Sequence, residues 1–227
     1  MKLSIADTAD TGATIRVSLA HSVATGTSLG LDMSSGALSL WRRLDWRFLL
    51  PDPNLQRVGY FGPPCDLLTA LQTYSKSVLV FSNGELHPAY PRFDVAVLRH
   101  PSWSAVKQAA RMVKPGGSLY MELSGSLRGI GKGSILSREN TGVVGYVRAL
   151  WRAGYAGIQA YWHRPSFEDC REIIPLFDRV AMRYVLSRRG PAHLTREAML
   201  LASRCLLEAG LLTHIVPCYS ILAQKKD

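Results

Sequence analysis

"AARMVKPGGSLYMEL", residues 109–123, decides how this chain is read. Ala109, Ala110 and Val113 continue an apolar face that begins at Val106, which is helical spacing. Pro115 cannot extend that helix, because it lacks the backbone N–H and its ring clashes with the preceding turn. Gly116 and Gly117 permit positive φ where the chain must turn. "SLYMELSG" (118–125) then reads as a strand.

Outward from this stretch the same alternation repeats. Upstream, "FDVAVLRH" (93–100) predicts a buried strand and "SWSAVKQAARMVK" (102–114) the helix after it. Before these come a strand at "RVGYFG" (57–62) and a helix at "DLLTALQTYS" (66–75), with Leu67, Leu68, Leu71 and Tyr74 on one face. "SVLVFSNG" (77–84) is a buried strand closed by Asn-Gly, and residues 84–92 hold two prolines and form a loop. Downstream, residues 124–140 are a Gly/Ser/Arg loop. "TGVVGYVRALWRAG" (141–154) is a helix with Val143, Val144, Val147, Leu150 and Trp151 inward, and "AGIQAYWH" (156–163) is a fifth strand. A helix broken at Pro175 is expected over 167–188. A last helix follows at 195–210, with Thr195 as N-cap and Gly210 beyond its end, and then a final strand, "VPCYSILAQKK" (216–226).

Residues 1–40 are rich in Ser, Thr, Ala and Gly, with one strand at "ATIRVSLA" (13–20). "LWRRLDWRFLLP" (40–51) predicts a short amphipathic helix through Leu40, Leu44 and Phe48. The expected organisation is an N-terminal extension over 1–54 and an α/β domain over 55–227. Strands separated by helices of this length predict a mainly parallel sheet covered on both faces.

Composition narrows the function classes. The chain has 227 residues, 47% hydrophobic and 19% charged, with no apolar run long enough for a membrane span. Asp7 and Asp10 stand where an export signal needs an apolar stretch. Cys65, Cys170, Cys205 and Cys218 show no metal or redox spacing, which fits reduced thiols in a cytoplasm. The net charge of +10 admits an anionic partner. The basic residues are dispersed, and the densest run, Arg179 to Arg196, lacks interleaved aromatics, so nucleic acid is not favoured. "GSLRGIGKGS" (125–134) fails the P-loop pattern, because Gly133 follows Lys132 and no helix begins there. A loop carrying Arg128, Lys132 and Arg138 that closes over an anionic substrate is the better reading.

The phrase "VKPGGSLYMEL", the strand "RFDVAVL" before it and the closing strand–helix–strand resemble the class I S-adenosylmethionine-dependent methyltransferase family over roughly residues 55–227. The resemblance implies a Rossmann-like methyltransferase fold. It would have a mostly parallel central sheet, an antiparallel edge strand and helices on both faces. It implies S-adenosylmethionine as cofactor and a small molecule or glycan-type intermediate as methyl acceptor. In the family the first strand ends in an acid and a turn of three glycines. Here Tyr60 stands at the acidic position, Gly62 at the first glycine, Pro64 at the second and Asp66 at the third.

The resemblance therefore assigns Tyr60, Gly62, Pro63 and Arg99 to the cofactor. Ser82 or Asn83, at the end of the second strand, would meet the ribose hydroxyls. "RHPSW" (99–103) echoes the stretch that holds a target amine, with His100 as base and Trp103 against substrate. His163, on the same face as Tyr161, is a second candidate base, because the ordinary pKa of a histidine lies near working pH. Tyr161 and Arg128 complete the candidate substrate contacts. Cys65, at the start of the first domain helix, is read as a small buried residue. Two other functions stay open: an inactive methyltransferase-like partner or scaffold, with a protein partner or a homodimer, and an RNA-modifying or RNA-binding protein.

Overall fold

The computed structural model describes residues 35–81, 92–124, 143–187, 201–202, 205 and 216–227. Seven strands form one sheet: β1 (Arg57–Phe61), β2 (Ser77–Phe81), β3 (Phe93–Arg99), β4 (Val113–Ser124), β5 (Tyr155–Arg164), β6 (Glu172–Pro175) and β7 (Cys218–Lys225). Their spatial order is β2-β1-β3-β4-β7-β5-β6. β1 pairs in parallel with β2 and β3, and β3 with β4. β7 runs antiparallel to both β4 and β5, so β5 keeps the common direction. β6 is the antiparallel edge strand.

The apolar run of β3 is buried because helices cover both faces, whereas β2, expected to be buried, stands at one end of the strand order and is only partly covered, with Val80 exposed. On one face lie α1 (Ser35–Arg42), a 3-10 turn (Asp45–Leu49) and α2 (Asp66–Tyr74). Their Leu44, Trp46, Leu50, Leu67, Ala70 and Leu71 share a core with Val58, Tyr60, Val95, Val97 and Tyr120. On the other lie α3 (Trp103–Met112), α4 (Val143–Arg152) and α5 (Arg179–Ser187), over Phe61, Phe93, Ala96, Leu98, Leu119 and Met121. Each fully buried leucine contributes about 1.5–3 kcal/mol relative to exposure. Trp46 stacks on Tyr120 at 4.0 Å and 8°, which adds about 0.5–1.5 kcal/mol.

Ser102 Oγ accepts a hydrogen bond from Ala105 N at 3.3 Å and caps α3. β4 begins at Val113 itself, so Lys114-Pro115-Gly116-Gly117 opens the strand. Gly116 takes φ +70. A Cβ on Gly117 would lie 2.8 Å from the Asp94 carbonyl oxygen, so β3 and β4 approach too closely there for any side chain. Asp94, at the entrance of β3, accepts from Arg57 N and pairs with Lys114, tying the starts of β1, β3 and β4 together.

Three local expectations change. The helix expected over 40–51 ends at Arg42 and re-forms as the 3-10 turn, so that Leu44 and Trp46 are buried while Phe48 faces solvent. The helix expected over 167–188 is instead β6 followed by α5. Pairing with the edge of β5 outweighs the helical pattern there. On α4, Val143, Tyr146 and Leu150 are buried and Val147 packs against the same core, whereas Val144 and Trp151, also expected inward, are exposed. The strand expected at 13–20 and the helix expected at 195–210 fall wholly or mostly outside the described residues. No helix of the described residues is long and apolar enough to cross a membrane.

Candidate functional site

The chain leaves β1 for β2 on one side and continues from β3 to β4 on the other. Such a reversal opens a crevice at the C-terminal ends of the two strands, where open α/β sheets hold ligands. Gly62, Arg99 and His100 stand at this edge, immediately after β1 and at the end of β3.

Gly62 is required by the close approach of the turn to β3. An added Cβ would meet Arg99 Cβ at 3.0 Å, the Tyr60 hydroxyl at 3.1 Å and the Arg99 carbonyl oxygen at 3.3 Å. Pro63 and Pro64 are exposed and supply no N–H. Tyr60 is fully buried. Its hydroxyl donates to the Pro63 carbonyl at 2.7 Å and lies 3.2 Å from Cys65 Sγ. Burial, with the Cys65 contact behind it, pushes the Tyr60 phenol well above its ordinary pKa. The side chain thus shapes the turn from beneath. Cys65 is half-buried at the N-terminus of α2.

His100 is the one described non-glycine residue with positive φ, +46. Side chains are rarely held in this region unless their surroundings demand it, and such residues cluster at functional sites. Its N–H donates to the Glu122 carbonyl at 2.9 Å, and its Nδ1 lies 3.3 Å from Ser124 Oγ. Burial, reinforced by the Arg99 cation, lowers its pKa, so the ring is neutral at neutral pH. Trp103 opens α3 and packs against Tyr146 with ring centroids 5.5 Å apart.

Beneath this edge lies a buried polar chain. Glu122 is completely buried and accepts from Arg43 Nη2 at 3.0 Å and from the Tyr120 hydroxyl at 3.3 Å. Burial pushes its carboxyl up while the Arg43 guanidinium pulls it down, and burial prevails. Arg43 Nη1 also donates to the Phe167 carbonyl at 2.8 Å. Arg99 reaches from the edge into the same group, 3.9 Å from Glu122 and 3.5 Å from Glu168. Farther across the sheet, His163 Nε2 lies 2.7 Å from Ser220 Oγ and its Nδ1 3.4 Å from Cys170 Sγ. Burial, with Arg43 nearby, lowers the His163 pKa to about 3.

The structure brings Tyr60, Gly62, Pro63, Arg99 and His100 together. His163 and Tyr161 share a face, as alternation predicts, and both are buried; the Tyr161 hydroxyl donates to Gln159 Oε1. Tyr161 belongs to the core on the α1 and α2 face of the sheet, whereas Trp103 packs against the core on the opposite face. Ser82, Asn83 and Arg128 lie outside the described residues. Sequence reasoning missed Arg43, Glu122 and Glu168. For Glu122 a signal existed: a lone carboxylate inside an apolar strand, spaced to share a face with Tyr120. Among the described residues no cluster of His, Cys, Asp or Glu could hold a metal ion. A cavity of about 660 Å³ bounded by Val144, Val147, Arg148, Trp151 and Ile158 sits where α4 meets the start of β5, away from this edge.

No family model matches the sequence, and no curated protein matches it. Solved structures resemble the fold. A Thermotoga maritima S-adenosylmethionine-dependent methyltransferase, described as a possible histamine N-methyltransferase, aligns with TM-score 0.43 and 11% identity over 85% of this chain and 91% of that one. Phosphoethanolamine N-methyltransferase 2 of Haemonchus contortus, in complex with S-adenosyl-L-methionine, aligns with TM-score 0.40 and 13% identity over 84% of this chain and 52% of that one. The N-methyltransferase NodS of Bradyrhizobium japonicum aligns with TM-score 0.38 and 9% identity over 85% and 94%. These alignments assign no residue a role. The strand order, the reversed β7 between β4 and β5 and the helices on both faces make this a Rossmann-like fold of methyltransferase type.

Proposed function

We propose that the protein is an S-adenosylmethionine-dependent methyltransferase acting on a small molecule or glycan-type intermediate. The observation that carries this reading is His100, a neutral imidazole held at φ +46 beside Arg99 and the Gly62 turn. The described residues fit the methionine end of the cofactor on two counts. Gly62 keeps the backbone bare where β1 ends, and Arg99 offers a guanidinium that matches a carboxylate. The ribose end belongs to Ser82 and Asn83 in this proposal.

When bound, S-adenosylmethionine supplies a methyl group on a sulfonium for in-line displacement. The chain's own work is to orient the acceptor and take its proton. Ser124 Oγ lies 3.3 Å from His100 Nδ1, and in the tautomer in which Nδ1 donates to it Nε2 is the base. A lowered pKa keeps Nε2 unprotonated at working pH. Trp103, half-buried at the start of α3, lines the acceptor side. His163, buried against Ser220 and Cys170 farther across the sheet, does not touch the acceptor in this reading.

One observation favours a second reading, an inactive methyltransferase-like partner. The Tyr60 hydroxyl closes the turn on itself through Pro63, and two prolines remove N–H donors that a cofactor would use. A thermal-shift titration separates the two. Ligand at a hundredfold excess over its Kd stabilises a protein by about 2.7 kcal/mol, or roughly 5–10 °C for a chain of this size. S-adenosylhomocysteine should produce that shift, and none at millimolar ligand would leave the second reading standing.

A further inference from the structure

We propose that Glu168 is a built-in competitor for Arg99 that tunes which carboxylate-bearing ligands enter the β1–β3 edge; this rests on Arg99 being the guanidinium that receives the methionine carboxylate. Arg99 meets two acids. Its Nε lies 3.9 Å from Glu122 Oε2 and its Nη2 lies 3.5 Å from Glu168 Oε1. Glu122 is fully buried and already bonded to Arg43, so it stays. Glu168 is 54% exposed.

The loop bearing Glu168 is anchored on both sides of it. Phe167 is buried, with its carbonyl held by Arg43 Nη1 at 2.8 Å. Asp169 N donates to Ser166 Oγ at 3.1 Å, Cys170 is buried, and Arg171 N donates to the Arg164 carbonyl at 2.7 Å. The backbone is therefore fixed, while the exposed carboxylate, which also accepts from the Ser166 hydroxyl and its own backbone N–H, can leave Arg99 by rotation of its side chain alone. Swinging Glu168 outward releases Arg99 without moving the loop. A solvent-exposed pair of this kind is weak, and a ligand carboxylate that engages the guanidinium through both oxygens outcompetes it. A ligand without a carboxylate leaves the pair intact and gains nothing from Arg99. The remaining acid, Glu122, is shared with Arg43, so Arg99 without Glu168 presents excess positive charge to the edge.

The test uses Glu168→Gln, an exposed and nearly isosteric change. Wild type and variant are titrated calorimetrically with S-adenosylhomocysteine and with 5′-methylthioadenosine, which lacks the amino-acid carboxylate. The variant should bind S-adenosylhomocysteine about two- to fivefold more tightly and methylthioadenosine equally well. Binding of S-adenosylhomocysteine by the variant alone also supports the proposal. Equal affinity of both proteins for S-adenosylhomocysteine overturns the role of Glu168 and leaves that of Arg99 intact. Equal tightening for both ligands overturns it too, and no binding by either protein overturns both the role of Glu168 and the cofactor reading.

Discussion

His163 makes the fold acid-sensitive in a measurable way. The ring is 3% exposed, is bonded to Ser220 and Cys170, and has its pKa lowered to about 3 by burial and by the Arg43 cation. In the unfolded chain the same ring titrates near 6.5. Between these values the unfolded state binds one proton more than the folded state, so stability falls as pH is lowered. Its contribution is fully present above about pH 6.5 and is lost as pH drops toward 3. The slope is about 1.4 kcal/mol per pH unit, so about 2 kcal/mol disappears between pH 6.5 and 5.0. His163→Gln keeps a polar side chain and abolishes the titration. Urea unfolding of both proteins at pH 7.5 and 5.0 gives the comparison. The raised Glu122 carboxyl and the lowered His100 are common to both, so the difference isolates the imidazole. Wild type should lose about 2 kcal/mol more than the variant. Parallel pH dependence in the two proteins would refute the buried, neutral His163.

Two further substitutions test the geometry. His100→Gly should relieve the left-handed backbone and stabilise the protein by ~1 kcal/mol in urea unfolding, while methyl transfer falls about 10²-fold or more; a loss of stability would contradict a strained His100. Gly59→Ala places a Cβ 2.7 Å from Phe93 Cδ2 in a closed core, and a cost of about 1–3 kcal/mol is expected; an unchanged unfolding midpoint would mean that Phe93 has room to move.

The fold was legible because its signals are local. Pro115 and the two glycines after it stop a helix and open a strand, and apolar runs such as "FDVAVL" demand cover on both faces. What was not legible depends on distant partners. Phe48 looked inward by helical spacing, yet the chain breaks at Arg42 so that Trp46 can stack on Tyr120 and Arg43 can reach Glu122, 79 residues away. Residues 172–175 read as helix until the free edge of β5 is present to pair with them. The site divides the same way. Gly62, Arg99 and His100 are named by the resemblance, and the fold sets them at the ends of β1 and β3. The Arg43–Glu122 pair was not, because nothing near either residue in sequence names its partner. Tyr161 and His163 were placed on one face by alternation, but the depth of His163 follows from Phe167 and Ser220, which pack on it.

The proposed methyl transfer requires the β1–β3 edge to bind the cofactor through Arg99. Calorimetric titration of S-adenosylhomocysteine into wild type and Arg99→Ala measures this directly. The account predicts saturable binding by wild type and a loss of at least tenfold in the variant, since a hydrogen bond to a charged group contributes about 1.5–3 kcal/mol. No heat from wild type at millimolar ligand, or equal Kd values in the two proteins, would contradict it.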